Sequence, residues 1–134
     1  MISTDLAREL RASGLVWRPQ SGDRFQLDEP EFEADVYTVS EMTVEARSYP
    51  TGDLLAFNGT TEWALDSVAL EDALWLPSEA QLREMLRGAF RSLTRLPDIH
   101  VVEIEVDGLR HRFPHPEPAD AYAHAVLLLL RRAA

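Results

Sequence analysis

The chain has 134 residues, with 23 acidic side chains against 13 basic ones and no cysteine. Every base is an arginine, so thiol chemistry, disulfides, Cys-ligated zinc, Fe–S clusters, lysine Schiff bases and the P-loop lysine are excluded. A net charge of −10 repels nucleic-acid phosphates and anionic membranes, and the length is that of a single domain, residues 1–134.

In chain order the first element is a short helix. Ser3, Thr4 and Asp5 are N-cap candidates, Leu6 and Leu10 fall at i, i+4, and Gly14 suits the position just past the end. Trp17 to Asp23 reads as a loop, and Arg24 to Leu27 as a short strand. Asp28 to Asp35 (DEPEFEAD) is an acidic loop. Val36 to Ser40 and Met42 to Tyr49 are β-branched and aromatic, and Pro50-Thr51-Gly52-Asp53 is a turn. Leu54 to Phe57 returns as a strand, Asn58-Gly59 predicts a tight hairpin, and Thr60 to Val68 is its partner.

Ser78-Glu79-Ala80-Gln81 has the form of a capping box. Leu82, Met85, Leu86, Ala89 and Phe90 then recur at helical spacing, which predicts a helix with one buried face reaching Phe90. Ile99 to Val106 alternates, Asp107-Gly108 makes a two-residue turn, and Leu109 to Phe113 closes a second hairpin. Three prolines stiffen a connector into the last helix, Ala119 to Arg132. The fold class is therefore α+β: an antiparallel sheet of about five to seven strands with helices on one face, in the order α, β meander, α, β, β, α.

The longest apolar run, Ala125 to Leu130, is far short of the ~20 residues that span a bilayer. Residues Met1 to Asp5 have neither the basic stretch nor the apolar core of a signal peptide, so the expected compartment is the cytoplasm.

Several constellations could carry chemistry. Glu29, Glu31, Glu33 and Asp35 alternate, but an EF-hand register from Glu31 meets Val36 where Gly belongs and Met42 where Glu belongs. A solvated loop is the plainer account. His111, His115 and His124 resemble a metal triad only superficially, since Pro114 and Pro116 forbid the helix that would align the first two. No metal and no cofactor are expected.

Asn58, Glu62 and Asp66 surround Trp63, but in a strand Glu62 and Asp66 lie about 13 Å apart at ~3.3 Å per residue, too far to couple as an acid–base pair. Trp17, Trp63 and Trp75 either line a ligand pocket or fill a core. Arg83, Arg87 and Arg91, with Arg95, form an i, i+4 ridge while the helix lasts. The ridge suits a carboxylate or phosphate unless Glu79 and Glu84 neutralise it. Val126, Leu127, Leu128, Leu129 and Leu130 are apolar all round the last helix, which marks burial or a homodimer interface. No nucleophile, nucleotide or kinase signature occurs, so no catalytic residue is assigned.

Three stretches carry a resemblance: Gly14-Leu15-Val16-Trp17-Arg18-Pro19 with Gly22-Asp23-Arg24-Phe25; Phe57 to Val68; and Leu74-Trp75-Leu76-Pro77 with Gln81-Leu82. Together with the closing hairpin and helix, they resemble a group of small uncharacterised proteins of GC-rich bacteria, over nearly the whole chain. Some members carry the label of CpaE-type pilus assembly protein. That family is similar to ParA/MinD-like ATPases, whose glycine-rich loop and phosphate-binding lysine this chain lacks. The resemblance accordingly implies no catalytic residues.

The expectation is a non-catalytic accessory or protein-interaction domain, homodimeric through its last helix, with a basic protein as the partner its charge would suit. The alternative is a small ligand-binding domain or enzyme with a tryptophan-lined pocket and the carboxylates Glu62 and Asp66. No nucleic-acid or membrane partner is expected.

Overall fold

The structure is a computed structural model that describes residues 1–28, 35–39, 44–49, 52–57, 67–69 and 72–133. Its elements begin with α1 (Thr4–Ala12), β1 (Arg24–Leu27), β2 (Val36–Thr38), β3 (Val44–Tyr49), β4 (Gly52–Phe57), β5 (Ser67–Ala69) and β6 (Ala73–Leu76). They continue with α2 (Glu79–Leu86), β7 (Phe90–Arg95), β8 (His100–Val106), β9 (Leu109–His115) and α3 (Pro118–Ala133). The chain divides into two compact units, Met1–Val16 with Leu76–Ala134, and Trp17–Trp75.

The first unit is built on α3. This helix packs on β8 and β9, and α1 and α2 pack on it in turn. Ser3 caps α1, its hydroxyl accepting from the Leu6 amide at 3.3 Å. The end of α1 is a Schellman motif: the Leu15 amide donates to the Leu10 carbonyl at 3.0 Å and Gly14 to Arg11 at 3.1 Å. Gly14 has φ +106, a conformation that costs glycine little and other residues much. The capping box of α2 is complete, with Gln81 N donating to Ser78 Oγ at 3.1 Å and Ser78 N to Gln81 Oε1 at 2.9 Å.

Antiparallel β7, β8 and β9 form the sheet beneath α3. Asp107 and Gly108 both have positive φ, +52 and +77, as a type I′ turn demands, and Val106 lies opposite Leu109. That turn sets the whole register, placing Ile104 against His111 and Val102 against Phe113. Val102 and Ile104 are fully buried. On the opposite face Arg110 bridges Glu103 at 2.8 Å and Glu105 at 3.6 Å, and Arg91 reaches Glu105 at 3.1 Å. One face of this sheet is thus apolar and the other a ladder of charges.

The second unit contains two small sheets. One has the order β2-β1-β6, with β1 and β2 antiparallel and Phe25 opposite Tyr37; the other is the antiparallel β3-β4-β5. The α+β class holds, but among the described residues the strands form three three-stranded sheets and not a single sheet of five to seven strands. Most of the described strands of the second unit are only three or four residues long.

Three further expectations change. Tight hairpin geometry at Asn58-Gly59 would set Ala56 opposite Thr61, whereas Ala56 lies opposite Ser67; Asn58-Gly59 itself falls outside the described residues. Gly52 and Asp53, assigned to a turn, belong to β4. The helix predicted to reach Phe90 ends at Leu86, and Phe90 opens a strand that the sequence reading did not contain. The short apolar repeat Met85, Leu86, Ala89, Phe90 fits either geometry, and Gly88 weakens the helical one.

Leu82 is fully buried on α2, so Leu82→Ala should cost about 2–5 kcal/mol through lost transfer energy and a residual cavity. Leu93→Ala, at a 39% exposed position, should cost no more than about 0.5 kcal/mol. Urea denaturation midpoints of the two variants check this contrast.

Candidate functional site

Of the residues proposed to line a tryptophan pocket, Trp63, Asn58, Glu62 and Asp66 lie outside the described residues. Trp17 and Trp75 are described, and both belong to the core of the second unit. Trp17 packs with Phe25, Leu27, Val39 and Ala73, while Tyr37 and Trp75 close over the cluster. Trp17 and Trp75 stack at 6.3 Å with 12° between their planes, and Phe25 lies 5.4 Å from Trp17. The indole N–H of Trp17 donates to Asp23 Oδ2 at 2.9 Å, and the Gln20 amide donates to the same oxygen at 3.0 Å. A buried carboxylate therefore fastens the 17–23 loop onto its own aromatic core. Trp75 Nε1 is buried with no hydrogen-bond partner among the described residues.

The arginine ridge is broken by the end of α2, and its members part ways. Arg91 sits at a bulge between Phe90 and Ser92, and its guanidinium donates to the carbonyls of Gly88 at 2.6 Å and Phe90 at 3.1 Å as well as to Glu105. It braces a turn instead of facing a ligand, and Arg95 likewise lies on β7. Arg83 and Arg87 remain. Neither forms an ion pair with Glu79 or Glu84, the neighbours whose spacing would have allowed it.

Instead, the Arg83 guanidinium lies over the Phe90 ring, 4.9 Å from its centroid, and Phe90 rests against the buried Tyr122 at 6.0 Å. Arg87 adopts φ +50, ψ −129 at the C-cap. This is the conformation of the first central residue in a type II′ turn, where glycine is the usual occupant, and for a residue that carries a Cβ it costs on the order of 1–3 kcal/mol. Around these residues opens a groove of about 480 Å³ lined by Arg83, Glu84, Met85, Arg87 and Phe90.

A second polar cluster lies where β9 meets α3. The Asp120 carboxylate, 6% exposed, accepts the Ser3 amide at 2.8 Å and faces His115 Nε2 at 3.8 Å. His115 Nδ1 accepts the Glu117 amide at 3.0 Å, so the neutral ring carries its proton on Nε2, toward Asp120. The His115 ring is 6.1 Å from His124, and the hairpin register sets His100 opposite His115, with His100 Nδ1 at 3.1 Å from the Pro116 carbonyl. His111 stands apart, half-buried on β9, with its Nε2 inaccessible and unpartnered among the described residues. Among the described residues no group of three or more His, Asp or Glu is placed to hold a metal ion.

The run on α3 is divided by depth. Val126 and Leu127 are buried within the chain, whereas Leu128, Leu129 and Leu130 are half-buried. Among the described residues no helix is long and apolar enough to cross a membrane.

Glu84, Met85 and Phe90 as groove-lining residues, and Asp23 and Asp120 as buried anchors, were not anticipated. The pairing of His100 with His115 was latent in the Asp107-Gly108 turn, because a two-residue turn determines every pair along the ladder. Comparison with known protein families, with curated proteins and with solved structures finds no match.

Asp23→Ala strands the Trp17 indole N–H and should cost about 1–3 kcal/mol for each buried donor left unmade, read from urea denaturation followed by tryptophan fluorescence. Burial holds the Tyr122 phenol above its ordinary value, with Arg83 opposing the rise and Glu79 adding to it. A folded-state value above the unfolded one stabilises the fold at lower pH and is lost as pH climbs past about 10 toward the folded value. Tyr122→Phe should therefore flatten the alkaline fall of the thermal midpoint between about pH 9 and 11. Part of the fall should remain, since Tyr37 is also raised, by burial and by Asp35.

Proposed function

We propose that this chain is a non-catalytic interaction domain that pairs with a second copy of itself through the C-terminal end of α3. The reading rests on one juxtaposition. Arg132, on the last turn of α3, is ion-paired with Asp107 of the β8–β9 turn, so the half-buried Leu128, Leu129 and Leu130 approach the hairpin end that carries Leu109. Leu109 is 62% exposed, more than any other leucine among the described residues. Arg131 pairs with Glu9 of α1 at 3.9 Å, which adds a second ion pair near the apolar side chains. Leucines flanked by charged pairs have the layout of a protein interface, apolar at the centre and polar at the rim.

Val126 and Leu127 precede these half-buried leucines on α3 and are already covered by the chain's own side chains. The net charge of −10 suits a basic protein as a further partner, because complementary charge speeds encounter and disfavours wrong partners.

Sedimentation equilibrium at tens of micromolar protein tests this reading. Wild type should sediment as a dimer, and Leu109→Asp as a monomer with an unchanged circular-dichroism spectrum, because an exposed leucine contributes little to the fold itself. A monomeric wild type, or a Leu109→Asp variant that remains dimeric, would remove this surface as the site of pairing.

A further inference from the structure

The groove at the end of α2 has three properties that separate it from an ordinary solvated surface. The first concerns charge. Arg83, Glu84 and Arg87 all line it, and among the described residues none of the three forms an ion pair. In a regular helix Glu84 and Arg87 would be i, i+3 neighbours. The backbone turn at Arg87 breaks that relation and leaves both side chains on the groove.

The second concerns orientation. The Arg83 guanidinium is held over the Phe90 ring, its central carbon 4.9 Å from the centroid, and Phe90 is itself backed by Tyr122. The ring holds the guanidinium in place, and among the described residues Arg83 makes no hydrogen bond or ion pair, so its N–H donors remain available. The third concerns strain. Arg87 occupies a backbone conformation favoured by glycine, while the glycine of this turn sits one position later, at Gly88, without a positive φ. The arginine stands where a more relaxed residue would serve the fold better. Arg91 braces the same turn through the Gly88 and Phe90 carbonyls. Such strain is characteristic of positions retained for what the side chain does.

We propose that this groove binds a small carboxylate that carries a neighbouring hydroxyl or amide N–H. The guanidinium groups of Arg83 and Arg87 would share the carboxylate oxygens, and Glu84, an acceptor only, would take the adjacent donor. Charge decides between the oxyanions. Two arginines and one glutamate leave the groove with a single net positive charge, which a carboxylate neutralises. A phosphate dianion would set surplus negative charge against Glu84. The volume of about 480 Å³ is that of a small-molecule site, and Met85 and Phe90 supply the apolar wall such sites have.

Free hydroxy acids and the C-terminal carboxylate of a peptide present the same chemistry. Lactate and N-acetylalanine are therefore the two probes, with inorganic phosphate as the comparison, each titrated into the full-length ¹⁵N-labelled chain while the arginine Nε–H resonances are followed. The expected result is saturable movement of the Arg83 and Arg87 signals at millimolar lactate or N-acetylalanine, with phosphate weaker by about tenfold. Tighter binding of N-acetylalanine would identify a peptide terminus as the source, and tighter binding of lactate a free acid.

Arg83→Gln should abolish the saturable response. Arg87→Gly should abolish it too while raising the thermal midpoint, a combination that a purely structural arginine would not produce. Glu84→Gln should reverse the preference toward phosphate. Absence of saturation, a response that survives in Arg83→Gln, stronger binding of phosphate by wild type, or a lowered midpoint in Arg87→Gly would each overturn the proposal.

Discussion

The first unit depends on one helix being buried along most of its length. From Ala119 to Leu127 every residue of α3 except His124 is buried. A helix wrapped so fully must have neighbours on several sides, and here they are α1, α2 and the β8–β9 hairpin. The alternating alanines at 119, 121, 123 and 125 are the reason those neighbours can approach, because short side chains reduce the spacing between packed elements. Tyr122 is the large exception, and its ring fills the space toward Phe90.

Burial of that kind must be reconciled with polar backbone at the helix start. Asp120 does this for α3: its carboxylate sits in the first turn, where the helix dipole favours a negative charge, and it accepts the amide of Ser3, the residue that caps α1. One side chain thereby ties the beginnings of two helices together and faces His115 at the end of β9. Asp23 has the corresponding part in the second unit, where it satisfies the Trp17 indole and the Gln20 amide within an aromatic cluster. In each unit a buried aspartate meets donors that the apolar packing around it would otherwise strand.

The end of α2 shows the opposite arrangement. The fold could have continued the helix, paired Glu84 with Arg87 and covered the charges. Instead the chain turns sharply at Arg87 and enters β7, at a cost in backbone strain, and two arginines and a glutamate are left facing a groove. Where elements elsewhere agree with their local propensities, such disagreement is the usual mark of a site. The surface proposed for self-association is of another kind: apolar, at the far end of α3, and bordered by ion pairs already made within the chain.

Much of this architecture is legible in short stretches of residues. The cap at Ser3, the glycine after α1, the capping box at Ser78 and Gln81, and the Asp107-Gly108 turn with its register are all contests among groups within a few positions of one another. Their outcome needs no distant partner, and the same holds for the exclusion of thiol and lysine chemistry. Three features did require distant partners. Phe90 leaves the helix because it gains a strand partner in Ile104 and a ring contact with Tyr122. The described strands divide among three sheets, and β1 takes as its second neighbour β6, which is far from it in sequence. Arg91 is consumed by Glu105 and two carbonyls while Arg83 and Arg87 are spared. Periodicity reports which side chains avoid water, but it does not report which of several distant groups will claim a given hydrogen bond or ring face. That competition is resolved by three-dimensional packing, and in this protein it separates the arginines that hold the fold from those that face the groove.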